Sequence, residues 1–276
     1  MTYSTLMVHL DVGNSNAGRL QVAGDLADRF GSSVLGIAGC RPMQVVYADG
    51  YVSGEMIGDD IKAKEKAIAA AEAEFRGAFQ KRTNALEWRA AITLDPLSDF
   101  IARESRSADF VITGVDRNKS MFDSSRHVEL GDLVMRIGRP VLVVPESATK
   151  IGFDRILVGW KDTRETRRAV ADALPLLKKA TFVTVVEIAL ESEMVQARRN
   201  LDQVVEWLKR HGVAAQSIGA ASTGQDSRHL AEIGRDQKTD LLVAGAYGHN
   251  RLREWMLGGV THDLLTRPEG CSFVSH

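Results

Sequence analysis

Near its C-terminal end the chain reads LLVAGAYGHNRLREWMLGGVTHDLL, from Leu241 onward. Gly245, Gly248 and Gly258 fall at the spacing G-x2-G-x9-G, followed by Gly259, Val260 and Thr261. Glycine lets a backbone approach a ligand closely and adopt φ > 0. The apolar run before Gly245 reads as a strand, and the pattern after Gly258 turns helical. A helix N-terminus offers free N–H groups and a positive dipole. Strand, glycine-edged loop and helix start together make a phosphate cradle. His249, Asn250, Arg251 and Arg253 lie inside the loop, and the two arginines are candidates for outer phosphate oxygens. No Gly-Lys-[Ser/Thr] follows, so this is not a Walker A loop, and it is not the dinucleotide G-x-G-x-x-G fingerprint. A second cluster lies near the N-terminus. His9 and Asp11 are two apart, hence on one face of a strand. With Asp116 and His127 they could form a metal or acid–base site. No G-x-S-x-G elbow and no H-E-x-x-H helix occurs.

The elements that position these residues occur twice. LMVHLDVGNSNAGRLQVAGDLADRFGSSVLGIAG, from Leu6, aligns with ILVGWKDTRETRRAVADALPLLKKATFVTVVEI, from Ile156. DFIARESRSADFVITGVDRN, from Asp99, aligns with HLAEIGRDQKTDLLVAGAYGHN, from His229, so that Asp109 falls on Asp240 and Gly114 on Gly245. A half-length repeat predicts two copies of one α/β unit, residues 1–148 and 152–276. Alternating strands and helices imply a parallel sheet covered on both faces. The runs VITGV, VLVVP, ILVGW, FVTVV and LLVAG suit such doubly covered strands. Composition and period predict helices over 60–82 and 193–211. The segment 41–58, with Gly50, Gly54 and Gly58, reads as a loop, either mobile or a lid. In a doubly wound sheet, ligands bind beyond the carboxyl ends of the strands where strand order reverses. In the second copy that rule brings Gly159, Trp160, Lys161 and Asp162, with Thr163, beside the glycine loop. Trp160 could stack on a base or simply pack.

Gly245-x2-Gly248-x9-Gly258 resembles the nucleotide motif of the universal stress protein family, G-x2-G-x9-G-[ST]. Gly259 stands where Ser or Thr is usual, and Thr261 offers a nearby hydroxyl. The resemblance covers the whole chain as a tandem form. It implies two Rossmann-like domains, each with a five-stranded parallel sheet of order 3-2-1-4-5. It also implies ATP, ADP or AMP as ligand in the second domain, with Mg left open as an accompanying ion. Base and ribose would lie near Gly159, Trp160, Lys161 and Asp162. Phosphates would lie on Gly245, Gly248, His249, Arg251, Gly258, Gly259, Val260 and Thr261. At the family's first-strand aspartate this copy has Lys161, with Asp162 adjacent. The first copy keeps Asp11 there but carries Arg117 for the second glycine and Asp132 where a phosphate-binding hydroxyl is expected. It therefore reads as a degenerate site. In the family the last strands of paired domains associate, which here matches Val141 to Pro145 with Ser272 to Ser275. Two packed domains rather than one continuous sheet are expected.

Composition bounds the remaining classes. The chain has 276 residues, 44% hydrophobic and 26% charged, enough for one large or two medium domains with a substantial core. A net charge of -1 gives no case for nucleic acid or an anionic membrane as partner. The N-terminus lacks a basic, then apolar, leader, and no apolar run is long enough to span a bilayer. Cys40 and Cys271 read as reduced thiols of a cytoplasmic protein. The expectation is a stress-response sensor or regulator with at most slow ATP hydrolysis. Its partners would be an adenine nucleotide and another protein, with an internal pseudo-dimer and a homodimer left open. The alternatives are a hydrolase or metal-dependent enzyme at His9/Asp11, or a structural partner protein with both sites vestigial.

Overall fold

The computed structural model describes residues 2–43, 54–82, 84–115, 125–146, 148, 152–246 and 270–276. The first half runs β1 (Thr5–His9), α1 (Ala17–Phe30), β2 (Ser33–Cys40), α2 (Gly54–Phe79), β3 (Leu86–Ile92), α3 (Leu97–Glu104), β4 (Phe110–Gly114), α4 (Leu130–Arg136) and β5 (Val141–Val144). The second runs β6 (Arg155–Gly159), α5 (Arg164–Lys179), β7 (Phe182–Ala189), α6 (Met194–Arg210), β8 (Ala215–Ala221), α7 (Asp226–Asp236), β9 (Leu241–Gly245) and β10 (Cys271–Ser275). The order across the sheet is β3-β2-β1-β4-β5-β10-β9-β6-β7-β8, so each half has the expected 3-2-1-4-5 order. All pairs within a half are parallel; β5 and β10 pair antiparallel, with Phe273 opposite Leu142.

That last pairing meets one expectation and corrects another. The terminal strands associate, but edge pairing by backbone hydrogen bonds continues the ladder. The result is one ten-stranded sheet rather than two separate ones. It also removes two open edges from the molecule. The helices follow the sequence closely, with α6 covering Met194–Arg210. α2 departs from expectation, because it already begins at Gly54 and so includes Gly58. Two glycines near a helix start cost about 1 kcal/mol each. Here the long Ala/Glu/Lys run behind them carries the helix through. The other residues of the expected loop, 44–53, lie outside the described set.

The repeat is visible in single hydrogen bonds. Asp109 Oδ2 accepts from the Ser4 and Thr5 amides at 2.6 and 2.9 Å. Asp240 Oδ2 accepts from the Asp154 and Arg155 amides at 3.0 and 2.9 Å. Each aspartate thereby locks the start of its half's first strand to its fourth. One apolar layer runs under α1 and α5 through both halves, from Leu6 and Phe110 through Phe273 to Val158 and Leu177. Across it, Tyr3 Oη donates to the Asp172 carbonyl at 2.7 Å. Both cysteines are buried, and burial pushes the Cys271 thiol up to about 12. Among the described residues no helix is long and apolar enough to cross a membrane.

Candidate functional site

The strand order reverses between β1 and β4 in the first half and between β6 and β9 in the second. At each reversal a helix N-terminus closes down on a glycine, and the two closures differ. In the second half, a side-chain carbon at Gly245 would lie 2.5 Å from the Thr166 nitrogen and 2.8 Å from its hydroxyl. Thr163 caps α5 by accepting from the Thr166 amide at 3.3 Å, and the two hydroxyls lie 3.2 Å apart. In the first half, the position equivalent to Thr166 is Arg19. A side-chain carbon at Gly114 would lie 2.7 Å from Arg19 Nε. Arg19 donates from Nη1 to the His9 carbonyl at 3.1 Å and pairs through Nη2 with Asp11. This crevice is therefore filled by the chain's own ion pair, whereas in the second an uncharged pair of hydroxyls, bonded to each other, stands in that place.

His9 and Asp11 do meet, with Nδ1 3.9 Å from Oδ1, but neither is poised for catalysis. His9 is 2% exposed and its Nδ1 lies 3.0 Å from Thr113 Oγ1. Burial first, and Arg19 second, push its imidazole down to about 4 against the pull of Asp11. Burial would raise the Asp11 carboxyl, yet its charged neighbours outweigh that and hold it low. His9 is uncharged at neutral pH, so Arg19 is the partner that keeps Asp11 ionised. Its carboxylate is committed to a guanidinium rather than to a metal or an attacking water. His127 comes within electrostatic reach of Asp11, while Asp116 lies outside the described residues.

The His9 environment has a consequence for stability. Its folded pKa lies below the unfolded value of 6.5, so the proton favours the unfolded chain. The His9 contribution is complete above pH 6.5 and is lost as pH falls toward 4. Over that window the loss amounts to about 3 kcal/mol at 1.36 kcal/mol per unit. Urea unfolding of wild type and His9→Gln at pH 7 and pH 4.5 measures it. The variant should lose less stability on acidification, and equal losses would show that His9 does not carry this dependence.

The remaining sequence-predicted residues divide in two. Trp160, Lys161 and Asp162 follow β6 at the expected crevice. Trp160 donates its amide to the Val186 carbonyl at 2.7 Å and packs on the core. Lys161 and Asp162 are exposed, and Asp162 accepts from Arg167 at 3.0 Å. Gly159 ends β6, with Leu230 3.3 Å from where a side-chain carbon would stand. Gly248, His249, Arg251, Gly258, Gly259, Val260 and Thr261 lie outside the described residues, as does Arg117. Asp132 sits in the first turn of α4.

Several residues were not singled out by sequence. Glu165 is 2% exposed in the first turn of α5, with Oε2 unpartnered. Burial pushes its carboxyl up, but its own amide, Arg164 and Thr163 bring it below the ordinary value. The α5 N-terminus is thus already answered by its own carboxylate. Asn16 binds Glu74 through its amide and side-chain nitrogens, both at 2.9 Å, tying the β1–α1 loop to α2. Beside that tie opens a cleft of about 360 Å3, lined by Asp11, Gly13 and Asn14 on one wall and Ala63, Lys66 and Glu74 among the α2 residues opposite. This opening is in the first half, not the second. Two carboxylates against a single ammonium do not make a phosphate cradle. Among the described residues, no group of three or more His, Cys, Asp or Glu side chains could hold a metal ion.

No protein-family model matches the sequence. No curated protein matches it either. Solved structures do. A universal stress protein from Archaeoglobus fulgidus DSM 4304 superposes with a TM-score of 0.72 at 14% identity, covering 98% of this chain and 95% of that one. A functionally unknown protein from Pseudomonas aeruginosa PAO1 superposes with a TM-score of 0.66 at 13% identity, covering 99% and 92%. At these identities the likeness concerns architecture, and it extends over both halves of all the chains. With its two 3-2-1-4-5 units joined through their last strands, the chain has the tandem universal stress protein fold.

Proposed function

We propose that this is a tandem universal stress protein acting as a cytoplasmic sensor or regulator, and that it binds one adenine nucleotide in its second domain, residues 152–276. The first domain, residues 1–148, does not bind it. The observation that carries this reading is the contrast at the two strand-order reversals. Arg19 and Asp11 fill the crevice over Gly114 with an ion pair, while Gly245 faces the uncharged Thr166 hydroxyl, 3.2 Å from that of Thr163. The second half also carries the G-x2-G-x9-G spacing in sequence. Backbone N–H groups near Gly248 and from Gly258 to Thr261 would hold the phosphates, since the loop has no Walker lysine. Arg251 would reach the outer ones. Bound nucleotide would bias a surface for a protein partner. ATP, ADP and AMP all fit this scheme, and Mg would accompany the longer ones on their phosphates.

Calorimetric titration of the full chain with ATP and AMP tests it. One site per chain is expected. Gly248→Val, which puts a β-branched side chain where backbone must approach phosphate, should weaken ATP at least about tenfold, or 1.4 kcal/mol. Asp132→Ala should leave binding unchanged. Two equivalent sites, or undiminished binding by a folded Gly248→Val protein, would overturn the proposal.

A further inference from the structure

The repeat allows each residue at the second crevice to be compared with its counterpart in the first. Trp160 follows β6 as Leu10 follows β1. Both donate their amides to the neighbouring strand, Trp160 to the Val186 carbonyl at 2.7 Å and Leu10 to the Ile37 carbonyl at 2.9 Å. The residues standing beside them are therefore Glu187 and Ala38. In the first half this pair, Leu10 and Ala38, is wholly buried and apolar. The fold itself asks for nothing more there. The second half replaces it with an indole and a carboxylate.

The two side chains share a face. Ile156 and Val158 of β6, and Val183 and Val185 of β7, belong to the layer under α5 and α6. With a period of two, Trp160 and Glu187 continue those rows at the carboxyl end of the sheet. Each holds a polar atom that is buried and has no hydrogen-bond partner, Trp160 Nε1 and Glu187 Oε2. Indole nitrogen is a donor only, and a carboxylate oxygen accepts. Leaving either buried and unpaired costs roughly 1–3 kcal/mol, so two orphans on residues side by side in the strand register are not a neutral by-product of packing. The rest of both side chains is partly exposed at the rim. On the far side of Glu187 its partner in β8 is Gly219, over which Met194 and Arg198 of α6 stand, with Met194 Sδ 3.2 Å from where a side-chain carbon would lie.

We propose that Trp160 Nε1 and the Glu187 carboxylate form a donor–acceptor pair that reads the edge of a nitrogen heterocycle presenting an acceptor next to an N–H donor. This rests on the nucleotide reading and assigns its base recognition. Adenine offers such an edge, with N1 accepting from the indole and the 6-amino group donating to Glu187. Burial and the neighbouring Asp162 and Glu193 push the Glu187 carboxyl up, which makes an incoming N–H donor more favourable than a second acceptor.

The test is calorimetric titration of the full chain with AMP and with purine riboside 5′-monophosphate, which keeps N1 and lacks the 6-amino group. Wild type should bind AMP about tenfold more tightly, because the analogue leaves a buried acceptor unpaired. Glu187→Ala restores the residue used by the first half, so the fold is expected to accept it. It should bind the two ligands equally. Trp160→Phe keeps a ring and removes the donor, and should weaken both ligands several-fold by a common factor. Equal binding of the two ligands by wild type, persistent discrimination in Glu187→Ala, or wild-type affinity in Trp160→Phe would each overturn the base-reading pair while leaving nucleotide binding in place. A wild-type chain that binds neither ligand would remove both this pair and the function proposed above.

Discussion

Arg19→Ala is expected to remove about 3–5 kcal/mol of folding stability, the cost of stripping one partner from a buried ion pair. Three consequences converge on that one side chain. Asp11, only 17% exposed at its side chain, would keep a charge with no guanidinium to answer it. The His9 carbonyl would lose its donor. The space over Gly114, which a side-chain carbon could not share with Arg19, would become a void. Urea unfolding at pH 7 measures the loss. Asp11→Ala and the double variant complete a cycle, and the double variant should be more stable than the sum of single losses predicts, because it no longer holds an orphaned charge. A loss below about 1 kcal/mol for Arg19→Ala would place this pair with ordinary surface salt bridges. It would also remove the argument that the first crevice is internally occupied.

The internal occupancy of the first crevice is not legible in sequence, and the reason is geometric. The period of α1 shows which residues face the sheet, and Arg19 stands there among Leu20, Val22 and Ala23. A charged residue on an apolar face was the available signal. What it does depends on β4 ending at Gly114, ninety-five positions away. Glu187 is similar. Its neighbour Trp160 is set by strand register, which no local pattern encodes. By contrast, the half-length repeat, read from apolar runs and alternation, marks out the two units, while the strand order within each and the edges that pair are what the family resemblance implies. Asp109 and Asp240 align in the repeat, and they make the same pair of bonds. The start of α2 departs from the loop expectation because Gly54 and Gly58 resemble a loop locally, while the helix is decided by the residues that follow. The glycine loop is legible in sequence alone, and the structure places its first residue, Gly245, at the strand-order reversal.

The seam between the halves should behave as core and not as an interface. Phe273 is fully buried on β10, directly opposite Leu142 of β5. Its ring meets Phe110 edge-on, 5.6 Å between centroids at 71°, and Phe110 meets Tyr3 in the same manner at 4.8 Å. Residues of both halves thus share one aromatic row inside the continuous layer. Phe273→Ala should cost about 3–5 kcal/mol, since a phenyl-sized cavity in a close-packed sheet relaxes little. Because that layer runs through both halves, wild type should unfold in one transition, and the variant should shift its midpoint without changing the slope. Far-UV dichroism and tryptophan fluorescence in urea report different parts of the chain. Trp88 lies on β3 of the first half, and Trp160 and Trp207 lie in the second. Coincident curves support a single cooperative unit. Two separated transitions in wild type would mean that the halves fold independently and that the β5–β10 seam is only a contact between them. Phe273→Ala would then lower the stability of the second half alone.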